Sequence, residues 1–439
     1  MTLTPLREAL PVLETFVSRY TGLVKGIVEL AHAPDEARLV RCGAVTADPE
    51  PLVGQRPTGT SGGSHWLPEA ARAAAIGEAL ERYSAAYVPD GACRRASAAE
   101  LGASAVDPES FALFHPRQYA APLFPFRPFR RDVRLRWVRG WSLADGAEAW
   151  LPAQLVYLPV DANARDEDLI GYATSSGVAC APTEKEAVLS ALLELVERDA
   201  FMLVWRNRLT LPLLDWHDDA RLARLDARYF APSGLRYAAV DLSAFFGMPA
   251  ALGVVHGTPG ELGALGVGAG CGVTVEVAWR KALAEAFAVH AHVRDAVYED
   301  PGLLDRAAVD IGTFDDHIFF YATEERAAAA GFLDVSPERR PTAGVPSIRG
   351  DLRAQIATVV GRLARDGVSA YAVDVAAPEV REAGLAVVRV VCPQLCALDV
   401  VDRARFLGGR RLYHAAHEHG LVSAPLELED LNPDPHPFP

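Results

Sequence analysis

Three stretches that read as helices place glutamates where core residues belong, and no other feature restricts this chain's fold more. On Thr183–Arg206, at about 100° per residue, Glu186, Glu194 and Glu197 fall within an arc of roughly 80° that also holds Phe201 and is bordered by Leu189, Leu193 and Ala200. On Pro68–Tyr87, Glu78 and Glu81 share a face with Ala71, Ala74, Ala75 and Ala85. On a third stretch, from about Glu276 to Val297, Lys281 and Glu285 lie one turn apart beside Ala278, Ala282 and Val289. A buried carboxylate is costly unless it is paired or bound to a cation. Local explanations exist for each. Thr183 and Glu186 have capping-box spacing, Lys281 and Glu285 have i,i+4 ion-pair spacing, and Glu81-Arg82 and Glu197-Arg198-Asp199 can be local salt bridges. Six glutamates on three apolar faces together point to a cation site with several metals. Magnesium takes hard oxygen ligands and completes its shell with water and phosphates, so such a site suits a nucleoside triphosphate.

The familiar phosphate loops are absent. No G-x-x-x-x-G-K-[ST] occurs, and Gly266-Val-Gly268-Ala-Gly270-Cys-Gly272 fails the G-x-G-x-x-G spacing, so it reads as a turn between strand and helix. A net charge of -14 over 439 residues argues against nucleic acid as a partner. No run reaches the roughly 20 apolar residues of a membrane helix, and Met1–Tyr20 lacks a signal-peptide core. Six cysteines without disulfide spacing fit a reducing cytoplasm. Cys392 and Cys396 lack a second pair for zinc, and His290, His292, His414, His417 and His419 lack ligand partners at a fixed spacing.

Helices and strands alternate without a fixed-period repeat. Strands are expected at Gly26–Leu30, Ala37–Ala44, Arg134–Trp141, Trp150–Val160, Leu235–Ser243, Ala250–His256, Ala370–Val375 and Ala386–Val391, and a further helix at Leu352–Asp366. Pro51–Ser64 reads as a loop, and Ser336–Gly344 as an exposed, mobile connection. The chain ends on Asn432-Pro-Asp-Pro-His-Pro-Phe-Pro439, which can neither pair as a central strand nor form an α-helix. It either frays, as termini do, or carries the terminal carboxylate somewhere definite.

Ser61-Gly-Gly, the segment Ala70-Ala-Arg-Ala-Ala-Ala-Ile-Gly-Glu78-Ala-Leu-Glu81-Arg-Tyr83, and Thr174-Ser-Ser-Gly-Val-Ala leading to Leu192-Leu-Glu-Leu-Val-Glu-Arg-Asp199 together resemble the YcaO family. Ala278-Trp-Arg-Lys281-Ala-Leu-Ala-Glu285 resembles its later motif. The resemblance implies an α+β fold of mixed sheets and helices enclosing an ATP cleft, with residues 1–430 as intimately packed lobes and 431–439 as a tail reaching the active site. It implies Glu78, Glu81, Glu186, Glu194 and Glu197 as ligands of magnesium and phosphate, with Arg198, Lys281, Glu285 and Ser176 at the nucleotide. Departures are Ala74 where family members often have serine, Ser176 for asparagine, Gly62-Gly63-Ser64-His65 near a Gly-Lys-Gly, and Lys281 for arginine, which keeps the charge but loses the bidentate fork.

Pro435, Pro437 and Pro439 match the P-x-P-x-P ending of those family members that make azolines on ribosomal peptides. The reaction so implied is a cyclodehydration. A Cys thiol, or a Ser or Thr hydroxyl, attacks the preceding amide carbonyl, and ATP phosphorylates the amide oxygen so that it leaves as phosphate. The Pro439 carboxylate, or a group it positions, moves a proton. The resemblance further implies a precursor peptide, a separate ThiF-like partner that binds its leader, a flavin dehydrogenase acting afterwards, and a homodimer. Two alternatives remain: thioamide or amidine formation on the same fold, and a catalytically weak scaffold that binds partner and peptide.

Overall fold

The computed structural model describes residues 3–30, 32–48, 50, 61–158 and 167–439, which form three sheets. The first is antiparallel, in the order β1 (Val24–Leu30), β2 (Val40–Thr46), β3 (Ser61–His65). The second and third interleave in sequence. One joins β4 (Cys93–Ser97), β5 (Arg134–Ser142), β13 (Tyr371–Asp374), β14 (Ala386–Val391) and β7 (Val178–Ala181), with β6 (Glu148–Pro152) beside β5. The other runs β11 (Leu265–Cys271), β10 (Ala250–His256), β9 (Arg236–Asp241), β8 (Leu213–Asp215), β12 (Arg339–Pro341). In these orders β3, β7 and β11 each end a sheet and therefore keep one row of backbone N–H groups unpaired within it.

Three long helices pack against these edges. The first, α1 (Pro68–Ala86), starts with proline at the position where a missing N–H costs nothing and continues in alanine, the best helix former. In α2 (Glu184–Arg206), Thr183 caps the N-terminus by accepting from the Glu186 N–H, acidic residues fill the first turn and Arg206 the last. Thr274 caps α3 (Val275–Glu299) in the same way. Helix α2 is buried almost all round, so charged residues on it need partners at any azimuth. Asp199 receives Arg411 at 2.8 Å and the Cys396 N–H at 2.9 Å, and Arg206 holds Asp399 through two bonds of 3.0 and 3.1 Å. Cys392 and Cys396 are buried core residues.

The glycine ladder is not a turn. It is strand β11, and its glycines let α3 settle directly on the sheet. A Cβ on Gly268 would lie 2.4 Å from the Ala286 nitrogen and 2.6 Å from the Glu285 Cβ, and one on Gly270 would lie 2.3 Å from the Ala278 oxygen. A Cβ on Gly253, which pairs with Gly268 across the sheet, would lie 2.4 Å from the Ala282 oxygen. Periodicity at two residues gives the strand, and the missing side chains give the close approach. The connection expected at Ser336–Gly344 is likewise partly ordered: β12 pairs in parallel with β8, and Ser336 and Thr342 are buried. Of the strand expected at Trp150–Val160, only the start is extended, because Ala153–Leu155 turns into a 3₁₀ helix, and 159–160 lie outside the described residues. Residues 51–60 of the expected loop also lie outside them, while Ser61–His65 is β3.

Gly268→Ala should destabilise the fold by about 1–3 kcal/mol through overpacking of α3 on β11, read as a lower urea midpoint at unchanged m-value. The same change at Gly361, whose added methyl meets nothing within 4 Å on a helix, should be neutral or stabilising.

Candidate active site

Five of the six singled-out glutamates are held in one recurring manner: a carboxylate oxygen accepts a backbone N–H from a sheet edge. Gly62 on β3 donates to Glu78. Cys180 on β7 donates to Glu81 at 2.8 Å, and Gly177, in the turn that enters β7, donates to Glu194 at 3.1 Å. On β11, Ala269 donates to Glu285 at 2.7 Å and Cys271 to Glu197 at 2.8 Å. Residues two apart on a strand point their N–H groups the same way, so one edge serves glutamates from two helices. These bonds satisfy amides that the edges leave open, and each orients a carboxylate whose other oxygen faces the side chains around it.

Cations stand among them. The Arg198 Nη2 lies 3.6 Å from Glu194, 3.7 Å from Glu197 and 4.0 Å from Glu285. Lys281 pairs with Glu197 at 3.6 Å across the cleft, not with Glu285 one turn away on its own helix. Arg82 pairs with Glu78 at 2.7 Å. The Arg198 Nε and Nη1 are buried without a hydrogen-bond partner. Two donors on a permanently charged group therefore remain unsatisfied, and anionic oxygens would satisfy them.

The site is crowded by protein and still partly open to solvent. The side chains of Glu194, Glu285 and Glu78 keep 25%, 31% and 31% of their surface. Desolvation is the largest influence on all of these carboxyls. It pushes Glu78 and Glu194 above the usual carboxylate range, raises Glu81 well above it with help from Glu194 and Glu78, and lifts Glu285 to about 7. Four converging carboxyls that resist ionisation are suited to bound divalent cations, whose charge favours the ionised form.

Glu186 is placed elsewhere. Its oxygens accept from the Thr183 hydroxyl at 2.8 Å and from the backbone and hydroxyl of Thr4, so it is held at the start of α2. Ser176 is buried in the turn before Gly177. Gly177 has φ of +84°, and a Cβ there would approach the Val390 oxygen to 2.7 Å, so this turn requires glycine.

The proline-rich end packs as an ordered tail. The Arg206 guanidinium donates to the carbonyls of Asn432 and Asp434, each at 3.0 Å, and Trp205 Nε1 donates to Asp434 at 3.1 Å. His317 faces the His436 carbonyl at 3.0 Å, and the two rings stack at 3.9 Å. His317, His436 and Asp399 form a buried trio of metal-ligating types that sequence reading missed. Their atoms are already engaged: the His317 Nε2 faces the Val400 carbonyl, His436 Nε2 the Asp399 carbonyl, His436 Nδ1 accepts the Phe438 N–H, and the Asp399 carboxylate holds Arg206. The trio is a clamp on the tail. Beyond it Phe438 is fully buried, with the Arg198 guanidinium 4.2 Å from its ring centre.

The family model described as YcaO cyclodehydratase, ATP- and Mg2+-binding, matches residues 62–396. The chain belongs to the YcaO family. An uncharacterised protein of Methanothermobacter thermautotrophicus is 27% identical over 353 residues, spanning 78% of this chain and 82% of that protein. A heterocyclase solved with substrate and cofactor superposes with a TM-score of 0.78 at 24% identity, over 99% of this chain and 57% of its own length. The heterocyclase TruD gives 0.67 at 26% identity, over 84% of this chain and 50% of its own. YcaO from Methanopyrus kandleri, bound with AMPPCP and Mg2+, gives 0.61 at 18% identity, over 89% of this chain and 91% of its own. This chain thus spans about half the length of the two heterocyclases, while ATP and Mg2+ are the ligands of the family. No described helix is long and apolar enough to cross a membrane.

Because the four carboxyls have raised folded-state values, folding takes up protons, and their contribution to stability is present at acid pH and lost as pH rises through those values. Without divalent cations, the unfolding free energy should therefore fall as pH rises from the ordinary carboxylate range toward about 7, where Glu285 ionises, and Glu81→Gln should flatten that fall, measured by urea unfolding in chelator. Added Mg2+ should stabilise wild type more than the variant.

Proposed function

We propose that this YcaO protein is an ATP-dependent cyclodehydratase that converts Cys, and Ser or Thr, of a ribosomally made peptide to thiazoline or oxazoline. The observation that carries this reading is the convergence of Glu78, Glu81, Glu194, Glu197 and Glu285, each oriented by a sheet-edge amide, around an arginine with two free donors. In this reading Glu78, Glu81, Glu194 and Glu197 hold Mg2+. Glu285 and Lys281 flank the nucleotide, and the unpartnered Nε and Nη1 of Arg198 take phosphate oxygens. Glu186 stays with the helix cap.

ATP supplies the phosphoryl group that makes the amide oxygen a leaving group. The chain's own contribution is charge placement: Arg198 and Lys281, fixed by the glutamates they pair with, offset negative charge without reorganising as it develops. The tail supports azoline formation over the other YcaO reactions, because its Phe438 lies against Arg198 and so the P-x-P-x-P segment runs up to the site. The E. coli microcin synthetase McbBCD is a complex, solved in one case with a pro-peptide bound. On that likeness the substrate here is a precursor peptide, and a separate partner presents it by binding its leader.

Mg-ATP at a hundredfold excess over its dissociation constant should add about 2.7 kcal/mol of stability to wild type, and Glu197→Gln should lose most of the shift. With a candidate partner and peptide, each turnover should remove one water from the peptide and consume one ATP. A gain of sulfur in place of oxygen would indicate a thioamide, and loss of water that links a backbone amide an amidine. ATP left intact with partner and peptide present would indicate a scaffold.

A further inference from the structure

We propose that Phe438 is a positioning residue for Arg198: its ring sets the plane of the guanidinium and so aims the two free donors into the cleft. The inference rests on the nucleotide reading above. Arg198 has one nitrogen, Nη2, among Glu194, Glu197 and Glu285, at 3.6 to 4.0 Å, and its Nε and Nη1 have no hydrogen-bond partner. Three carboxylates around one nitrogen hold its position but not the plane. The plane is set by the contact at 4.2 Å between Cζ and the Phe438 ring. That ring is itself immobilised. It is fully buried, lies 4.6 Å from the Phe201 ring one turn along α2, and its backbone N–H is held by His436 Nδ1 at 3.2 Å.

The chain of restraint runs outward from there. His436 stacks on His317 and bonds the Asp399 carbonyl, Tyr321 donates to the Pro435 carbonyl, and Arg206 spans Asp399 and the tail backbone. Pro435, Pro437 and Pro439 have no N–H of their own, so the tail needs few partners, and the ones it has are spent on locating Phe438. A flat cation against an aromatic face is favourable where water is excluded and leaves the in-plane N–H groups free to donate, which no hydrogen-bonding side chain at position 438 could achieve.

The test is calorimetric titration of the full chain with Mg-AMPPCP, using wild type, Phe438→Leu and Phe438→Trp, with melting temperatures in parallel. Leucine keeps an apolar side chain but removes the π face, and tryptophan restores a face. Phe438→Leu should weaken nucleotide affinity about threefold to thirtyfold with little change in melting temperature, and Phe438→Trp should recover most of it. Wild-type affinity in Phe438→Leu would overturn the proposal. So would equal losses in both variants with lowered melting temperatures, since the ring would then act only as core. A wild-type chain that does not bind the nucleotide would instead fail the cleft reading itself, and this inference with it.

Discussion

Unpaired strand edges are the constraint around which this molecule is arranged. Each of its three sheets ends in a strand, β3, β7 or β11, whose outward amides would otherwise be open to water or to another chain. Helical glutamates close those edges, and in doing so five carboxylates are drawn toward one another at a cost in desolvation and like-charge repulsion. The hydrogen bonds that complete the sheets and the electrostatic tension that suits the cleft to cations are thus one set of interactions. Neither could be removed alone.

Helix α2 carries the complementary half of this arrangement. Its glutamates and Arg198 turn to the cleft, while Asp199 and Arg206 turn to Arg411 and Asp399 on the far side. Removing one partner of such a buried pair costs about 3–5 kcal/mol, so the register of α2 is fixed by charge as well as by shape. The same Arg206 then holds the tail, which returns along α2 to Arg198 two turns earlier. A rotation of α2 would therefore disturb cleft, core and tail together.

The helices were legible in the sequence because caps, alanine content and the 3.6-residue period all act locally. Thr183, Pro68 and Glu276 mark starts that the structure reproduces within a residue or two. The anomalous glutamates were visible for the same reason. Their partners were not, since Cys180 and Glu81 are 99 residues apart and Cys271 and Glu197 are 74 apart, and a backbone donor leaves no trace in residue type. Lys281 shows the limit of local spacing: the i,i+4 rule pairs it with Glu285, yet tertiary packing gives it Glu197. Glu186 bonds the Thr183 hydroxyl three residues back and also Thr4, 182 residues away, a partner that no local rule names. The glycines of β11 looked like a turn because glycine signals both freedom and close approach, and only the helix above them distinguishes the two. His317 and His436, 119 residues apart, offered no pattern at all.

Pinning each carboxylate to a backbone amide also equips the cleft with its own spectroscopy. Gly62, Gly177, Cys180, Ala269 and Cys271 each carry an amide proton whose partner is a single glutamate. A change in charge on that glutamate, by protonation or by capture of a cation, alters the field at one N–H and leaves the others nearly unaffected. Five backbone resonances would thereby record five occupancies separately, in a cluster whose coupled titration would otherwise merge them.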